Sequence, residues 1–156
     1  MDKEKAIDIL TYFRDADKII RLNQQIIKNI EDQYYNSVGA LTMDGMPKGK
    51  GGVSNTVERV ALNIPDSVSR TIRELERENK MLEKIKVEIL HELNSLTFHK
   101  KAVILGFYID GLQWERISAQ TNYSPRQCRN IRDNAIKQLM KNFSENKVIA
   151  NYHFPE

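Results

Sequence analysis

The sequence predicts an all-α protein: a long N-terminal helical hairpin or coiled coil, then a compact C-terminal set of short helices that ends in a helix-turn-helix. Three observations support this. Two stretches of about thirty residues carry apolar side chains at alternating steps of three and four. A glycine-rich break separates them. After residue 93 the long periodicity gives way to short segments punctuated by helix stops and caps.

Residues 1–36 form the first segment, helical from about residue 3. Ile9, Phe13, Ala16, Ile20, Ile27, Ile30 and Tyr34 recur on one face, Asn23 fills a gap in that stripe, and neither Gly nor Pro interrupts the run. Residues 37–53 read as a linker, because Asp44, Gly45, Met46, Pro47, Lys48, Gly49, Lys50, Gly51 and Gly52 disfavour regular structure. A phosphate-cradling loop is the alternative, and it fails on spacing. Such a loop needs Gly, four residues, then Gly-Lys-Ser/Thr, whereas Gly49-Lys50 is followed by Gly51 and the fifth position after Gly45 is Lys50.

Residues 54–93 form the second coiled-coil segment. Ser54 suits the cap of a short helix to Asn63, Pro65 breaks the chain, and a long helix is predicted from Asp66 to Leu93. Its stripe is Val68, Ile72, Leu75, Leu82, Ile89 and Leu93, with Asn79 and Lys86 in the same register and Ile85 beside Lys86, able to take its place. Glu and Lys or Arg of both signs cover the other faces, and a polar residue such as Asn79 in the seam pins register at some cost in stability. The two stripes can be buried as an antiparallel pair within one chain or across two chains. A two-helix pair alone buries little surface, so a homo-oligomer through the N-terminal helices is expected.

Residues 94–143 change character. Thr97 is a candidate cap for a helix whose face is Ala102, Val103, Leu105, Gly106 and Ile109, and Asp110-Gly111 stops it. Trp114 opens the next helix, in which Ser118 is small where a following helix would cross. Asn122 suits a left-handed turn position, Tyr123 can plug the turn, Ser124 is a good N-cap, and Pro125 sits where its missing N–H is harmless. The last helix runs from Pro125 to about Asn142. At about 100° per residue, Cys128, Ile131, Ala135, Leu139 and Asn142 share one face, and Arg126, Asn130, Asp133 and Lys137 share the opposite one, flanked by Gln127, Arg129 and Asn134. Residues 144–156 form an apolar tail, with Val148, Ile149, Tyr152, His153 and Phe154. It is expected to pack back on the body, with fraying or a partner site as alternatives.

Charge sharpens the picture. The chain carries a formal net charge of +3, a mild excess that would not by itself identify a nucleic-acid binder. Between Ser124 and Asn142, however, Arg126, Arg129, Arg132, Lys137 and Lys141 face the single acid Asp133, so the positive charge concentrates on one helix. Arg can bond guanine in two places and Asn can do so with adenine, while further basic groups position a helix on the phosphates. This composition therefore points to double-stranded DNA: Arg126, Gln127, Asn130 and Asn134 toward bases, with Arg129, Arg132 and Lys137 toward phosphates and Ser124 and Pro125 setting the helix start. A merely solvated basic helix is the plainer alternative. It leaves the small residue, the Asn turn and the Ser-Pro cap in one frame unexplained.

Other chemistry is not suggested. His91, His99 and His153 are scattered without partners at metal-ligand spacing, Cys128 stands alone, and the acids lie on solvated helix faces. No metal, cofactor or enzymatic activity is expected. The charged start, the lone cysteine and the lack of a long apolar run point to a cytoplasmic protein with no membrane segment.

The run AVILGFYIDGLQWERISAQTNYSPRQCRNIRDNAIKQL resembles region 4 of bacterial sigma-70-type factors, the module that reads the promoter −35 element. The likeness spans about a quarter of the chain and aligns without gaps from Trp114 to Leu139. With a helical N-terminal half and the Gly-Met-Pro-Lys-Gly linker, the chain is similar to sigma-like late-transcription regulators of the ArpU and RinA type from phages and prophages of Gram-positive hosts. The resemblance implies that Pro125, Arg126, Arg129 and Asn130 begin the recognition helix, and that RNA polymerase is a partner. Pro125 and Arg126 depart from the common sigma pattern, Arg then Glu, so a different base preference follows. Nothing resembles the aromatic module that melts the −10 element, which fits an accessory regulator rather than a complete sigma factor. Two other functions compete: a DNA-packaging recognition subunit resembling a terminase small subunit, and a coiled-coil interaction adaptor.

Overall fold

A computed structural model describes residues 1–39 and 64–155, with side chains from 1–34 and 64–155. The described residues form helices and no strand: an all-α fold. The expected Ser54–Asn63 helix and the glycine run lie outside the described residues. None of the described helices is long and apolar enough to cross a membrane.

Helix α1 spans Lys3–Gly39, and the Asp2 carboxylate accepts from the Lys5 amide at 2.8 Å at its start. It takes in Ser37, Val38 and Gly39, which were expected to open the linker. Ser and Val are only mildly poor helix formers, and the first strong breaker is the glycine at the end. Helix α2 spans Asp66–Asn94. The Pro65 carbonyl accepts from the Val68 and Ser69 amides at 3.0 Å, so the proline opens the helix without interrupting it.

The chain divides into two compact units, Met1–Lys18 with Met81–Glu156, and Ile19–Lys80. The boundaries cut through both long helices instead of falling at their ends. The C-terminal helices share a core with the first turns of α1 and the last turns of α2.

In the first unit that core gathers Ala6, Ile9 and Leu10 from α1, Ile85, Ile89 and Leu93 from α2, then Leu96, Ile104, Ala135, Ile136, Leu139, Phe143 and Ile149. Ile85, not Lys86, occupies the seam; the Lys86 ammonium turns out to Asp17. Helix α3 spans Phe98–Ile104 and runs into a π-helical turn, Leu105–Ile109, where the Asp110 amide reaches the Leu105 carbonyl at 2.8 Å. Thr97 stands at the N-cap of α3 but makes no side-chain cap bond. Gly111 ends the segment at φ 65°, a conformation that glycine adopts freely.

Helices α4 (Trp114–Thr121), α5 (Pro125–Glu145) and α6 (Lys147–Asn151) follow. Asn146 does two jobs at the last junction. Its carbonyl oxygen caps α6 by accepting from the Val148 and Ile149 amides at 3.1 and 3.2 Å, and its side-chain amide donates to Glu88 and Glu92 at 3.0 and 2.9 Å. The tail then packs back on the body: Ile149 is buried, and the Tyr152 and Phe154 rings lie 5.7 and 5.1 Å from that of Tyr12.

The second unit has a different seam. Ile20, Ile64 and Ile72 are buried there, and so are Asn23 and Asn79. The Asn23 amide donates to the Asn79 side-chain carbonyl at 2.9 Å and to Glu78 at 3.2 Å, while the Asn79 amide donates to the Ile20 backbone carbonyl at 3.4 Å. Both polar gaps expected in the apolar stripes thus meet within one chain, so each fills the hydrogen-bonding need of the other.

Candidate nucleic-acid interface

The sharpest feature of the C-terminal half is the connection from α4 to α5. Asn122 stands at φ 59° and ψ 19°, the left-handed region, and its amide returns to the Ser118 carbonyl at 2.9 Å. Among non-glycine residues Asn enters that region most readily, because its short polar side chain can bond locally. The Ser118 hydroxyl donates to the Tyr123 carbonyl and latches the turn. Ser118 therefore does more than leave room at a crossing, the role its size suggests. Ser124 caps α5, accepting from the Gln127 amide at 3.1 Å, and Pro125 occupies the first turn.

Beneath the turn lies a small second core of Val103, Ile117 and Cys128, bordered by Phe107, Leu112, Trp114, Tyr123 and Ile131. Gly106 belongs to the crossing: a Cβ there would lie 3.2 Å from Ile117 Cγ1, a tight approach that the Ile117 side chain would have to yield to by a few tenths of an ångström. Thr121 is buried and donates its hydroxyl to the Ile117 carbonyl at 2.8 Å, which leaves no polar atom stranded beside Cys128.

Because the inner face of α5 is held by Cys128, Ala135, Ile136, Leu139 and Phe143, its outer face is fixed. Arg126, Gln127, Arg129, Asn130, Asn134 and Lys137 are exposed there, with Ser124 exposed and Pro125 half-buried at its start. The six from Arg126 to Lys137 lie within about half of the helix circumference, over about three turns. Asp133 is the one acid among them. The Arg132 guanidinium donates to it at 3.1 Å, and Lys3 approaches at 3.7 Å. The hydrogen bond from Arg132, reinforced by the nearby positive charges, holds the Asp133 carboxyl below its usual range.

Arg132 is the residue the sequence reading misjudged. Its side chain is only 21 % exposed, and its guanidinium carbon lies 5.2 Å from the Trp114 ring centre and 5.6 Å from that of Phe107. Those two rings stack on each other, with centres 4.4 Å apart and planes 16° from parallel. Arg132 is thus bracketed by aromatics and Asp133 and does not point outward with the other basic residues. A signal was present: on a helical wheel Arg132 falls about 20° from Leu139, inside the buried arc. Trp114 is half-buried against the second core, and Arg129 also lies over its ring at 5.6 Å.

Among the described residues no group of three His, Cys, Asp or Glu side chains could hold a metal ion. Comparison of the chain with protein-family models, with curated proteins and with solved structures returns no match.

Proposed function

We propose that this chain binds double-stranded DNA sequence-specifically, that α4 and α5 act as a helix-turn-helix resembling sigma region 4, and that α5 lies in the major groove. The observation that carries this reading is the outer face of α5. It presents Arg126, Gln127, Arg129, Asn130, Asn134 and Lys137 to solvent on a helix whose other face is locked in two apolar cores. Arg126 and Asn130 are one helical turn apart near the helix start, the part that enters a groove first. Each carries a side chain able to bond one base at two points, guanine for Arg and adenine for Asn. Gln127 and Asn134 flank them, and Arg129 and Lys137 meet the backbone phosphates. The biological role consistent with the sequence likeness is regulation of phage or prophage transcription, with RNA polymerase as a second partner.

The test is selection of bound duplexes from a random library by the purified chain, followed by titration of the selected site. Arg126→Ala is expected to cost about 1–3 kcal/mol on that site and to relax its preference at one position. Lys137→Ala weakens all sequences alike. Affinity falls with salt at a log–log slope of about −0.9 for each phosphate engaged. An Arg126→Ala/Asn130→Ala variant that keeps full affinity for the selected site overturns the reading.

A further inference from the structure

Two arginines one turn apart on α5 share the same indole, and the structure gives them different surroundings. Arg132 is mostly buried, lies over both Trp114 and Phe107, and hands its charge to Asp133 at 3.1 Å. Arg129 is exposed, its guanidinium carbon 5.6 Å from the Trp114 ring centre, and among the described residues no carboxylate pairs with it. One guanidinium is therefore neutralised and built into the fold, and the other keeps a whole charge at the surface while its stem is held.

We infer that Trp114 is a positioning residue that holds the Arg129 guanidinium over its ring as a preformed clamp for a DNA phosphate, with Arg132 and Phe107 fixing the indole from behind. This rests on the proposed DNA-binding function. A free arginine loses much rotamer freedom when it binds a ligand, and an arginine already seated on an aromatic face loses less. A guanidinium seated on an aromatic face can keep the N–H groups along its edge free to donate to phosphate oxygens. Arg132 contributes no phosphate contact of its own in this arrangement, because its charge is answered by Asp133.

The chain supplies its own probe, since Trp114 is its only tryptophan. Duplex DNA of the selected sequence, titrated into the full chain, is expected to change Trp114 fluorescence; in Arg129→Ala the affinity falls about tenfold and the magnitude of the log–log salt slope falls by about 0.9. Trp114→Leu is expected to lose roughly three- to fivefold in affinity, whereas Trp114→Phe, which keeps an aromatic face, stays within about twofold of the parent. The double variant Trp114→Leu/Arg129→Ala binds no more weakly than Arg129→Ala alone, because the platform acts only through that side chain. Additive losses in the double variant, or a loss in Arg129→Ala confined to one DNA sequence, overturn the inference while leaving the DNA-binding function standing. A parent chain that binds no duplex overturns both. Should Trp114→Leu fail to fold, the Arg129 side-chain protons of the parent decide by nuclear magnetic resonance: ring-shifted resonances that relax in Trp114→Phe toward smaller shifts support the platform, and resonances at random-coil positions overturn it.

Discussion

The two units solve the same packing problem with opposite chemistry. In the unit formed by residues 1–18 and 81–156, the fully buried side chains that the long helices contribute, among them Ala6, Ile9, Leu10, Ile85, Ile89 and Leu93, are aliphatic, and Phe143 and Ile149 join them in the core. In the unit formed by residues 19–80, the buried positions include a hydrogen-bonded asparagine pair, Asn23 and Asn79. An apolar core maximises stability and tolerates some sliding. A buried amide pair contributes less net stability but can be satisfied in one register only. The first unit supports a rigid surface that must hold α5 in place, and the second fixes which residue of α1 stands opposite which residue of α2.

This contrast can be broken by mutation. The largest effect is expected from Phe143→Ala, which empties the centre of the apolar core: about 3–5 kcal/mol lost in chemical denaturation, together with reduced amide protection along α5. Asn79→Ala is expected to cost about 1–3 kcal/mol, because the Asn23 amide and the Ile20 carbonyl each lose a partner; protection should fall first within residues 19–39 and 64–80. Replacing both asparagines by leucine sharpens the point. Stability is expected to hold or rise while register loosens, seen as mixed species in analytical ultracentrifugation. A single well-defined species with unchanged helix pairing would remove the register role from the pair.

The smallest effect concerns Asp133 and has a definite sign. Its carboxyl is held below the ordinary range chiefly by the Arg132 hydrogen bond, so the pair stabilises the fold above the unfolded-state pKa of about 4 and loses that contribution as pH falls through the lower folded value. With the side chain 46 % exposed, solvent screening limits this to a few tenths of a kcal/mol. Urea midpoints of the parent and Asp133→Asn are expected to differ slightly at pH 6 and to converge below about pH 3. A difference that grows on acidification would contradict the pairing.

Local chemistry made much of this architecture readable. Asn122, Ser124 and Pro125 are each nearly diagnostic of one backbone conformation, and the structure shows a left-handed turn, a capped start and a proline in the first turn at those residues. Asn23 and Asn79 stood out as polar gaps in two apolar stripes, yet their meeting depends on which helix pairs with which, a long-range fact that periodicity does not carry. Ala6, Leu10 and Ile104 are buried in the core that α1 and α2 share with the C-terminal helices, a long-range assembly that the periodicity of one segment does not show. Arg132 was misjudged because residue type was weighed above wheel position: an arginine can be drawn inward when aromatic faces and a carboxylate await it. The π-helical turn over Leu105–Ile109 had no sequence signal that propensity rules recognise.

In the proposed complex the outward face of α5 is the surface that meets duplex DNA. Nuclear magnetic resonance shift mapping of the full chain, titrated with its selected duplex, tests this directly. The largest changes are expected on Arg126, Gln127, Arg129, Asn130, Asn134 and Lys137 and on the Trp114 indole, with residues 19–39 and 64–80 unmoved. Shifts concentrated in residues 19–80, or none on α5 at saturating DNA, would contradict it.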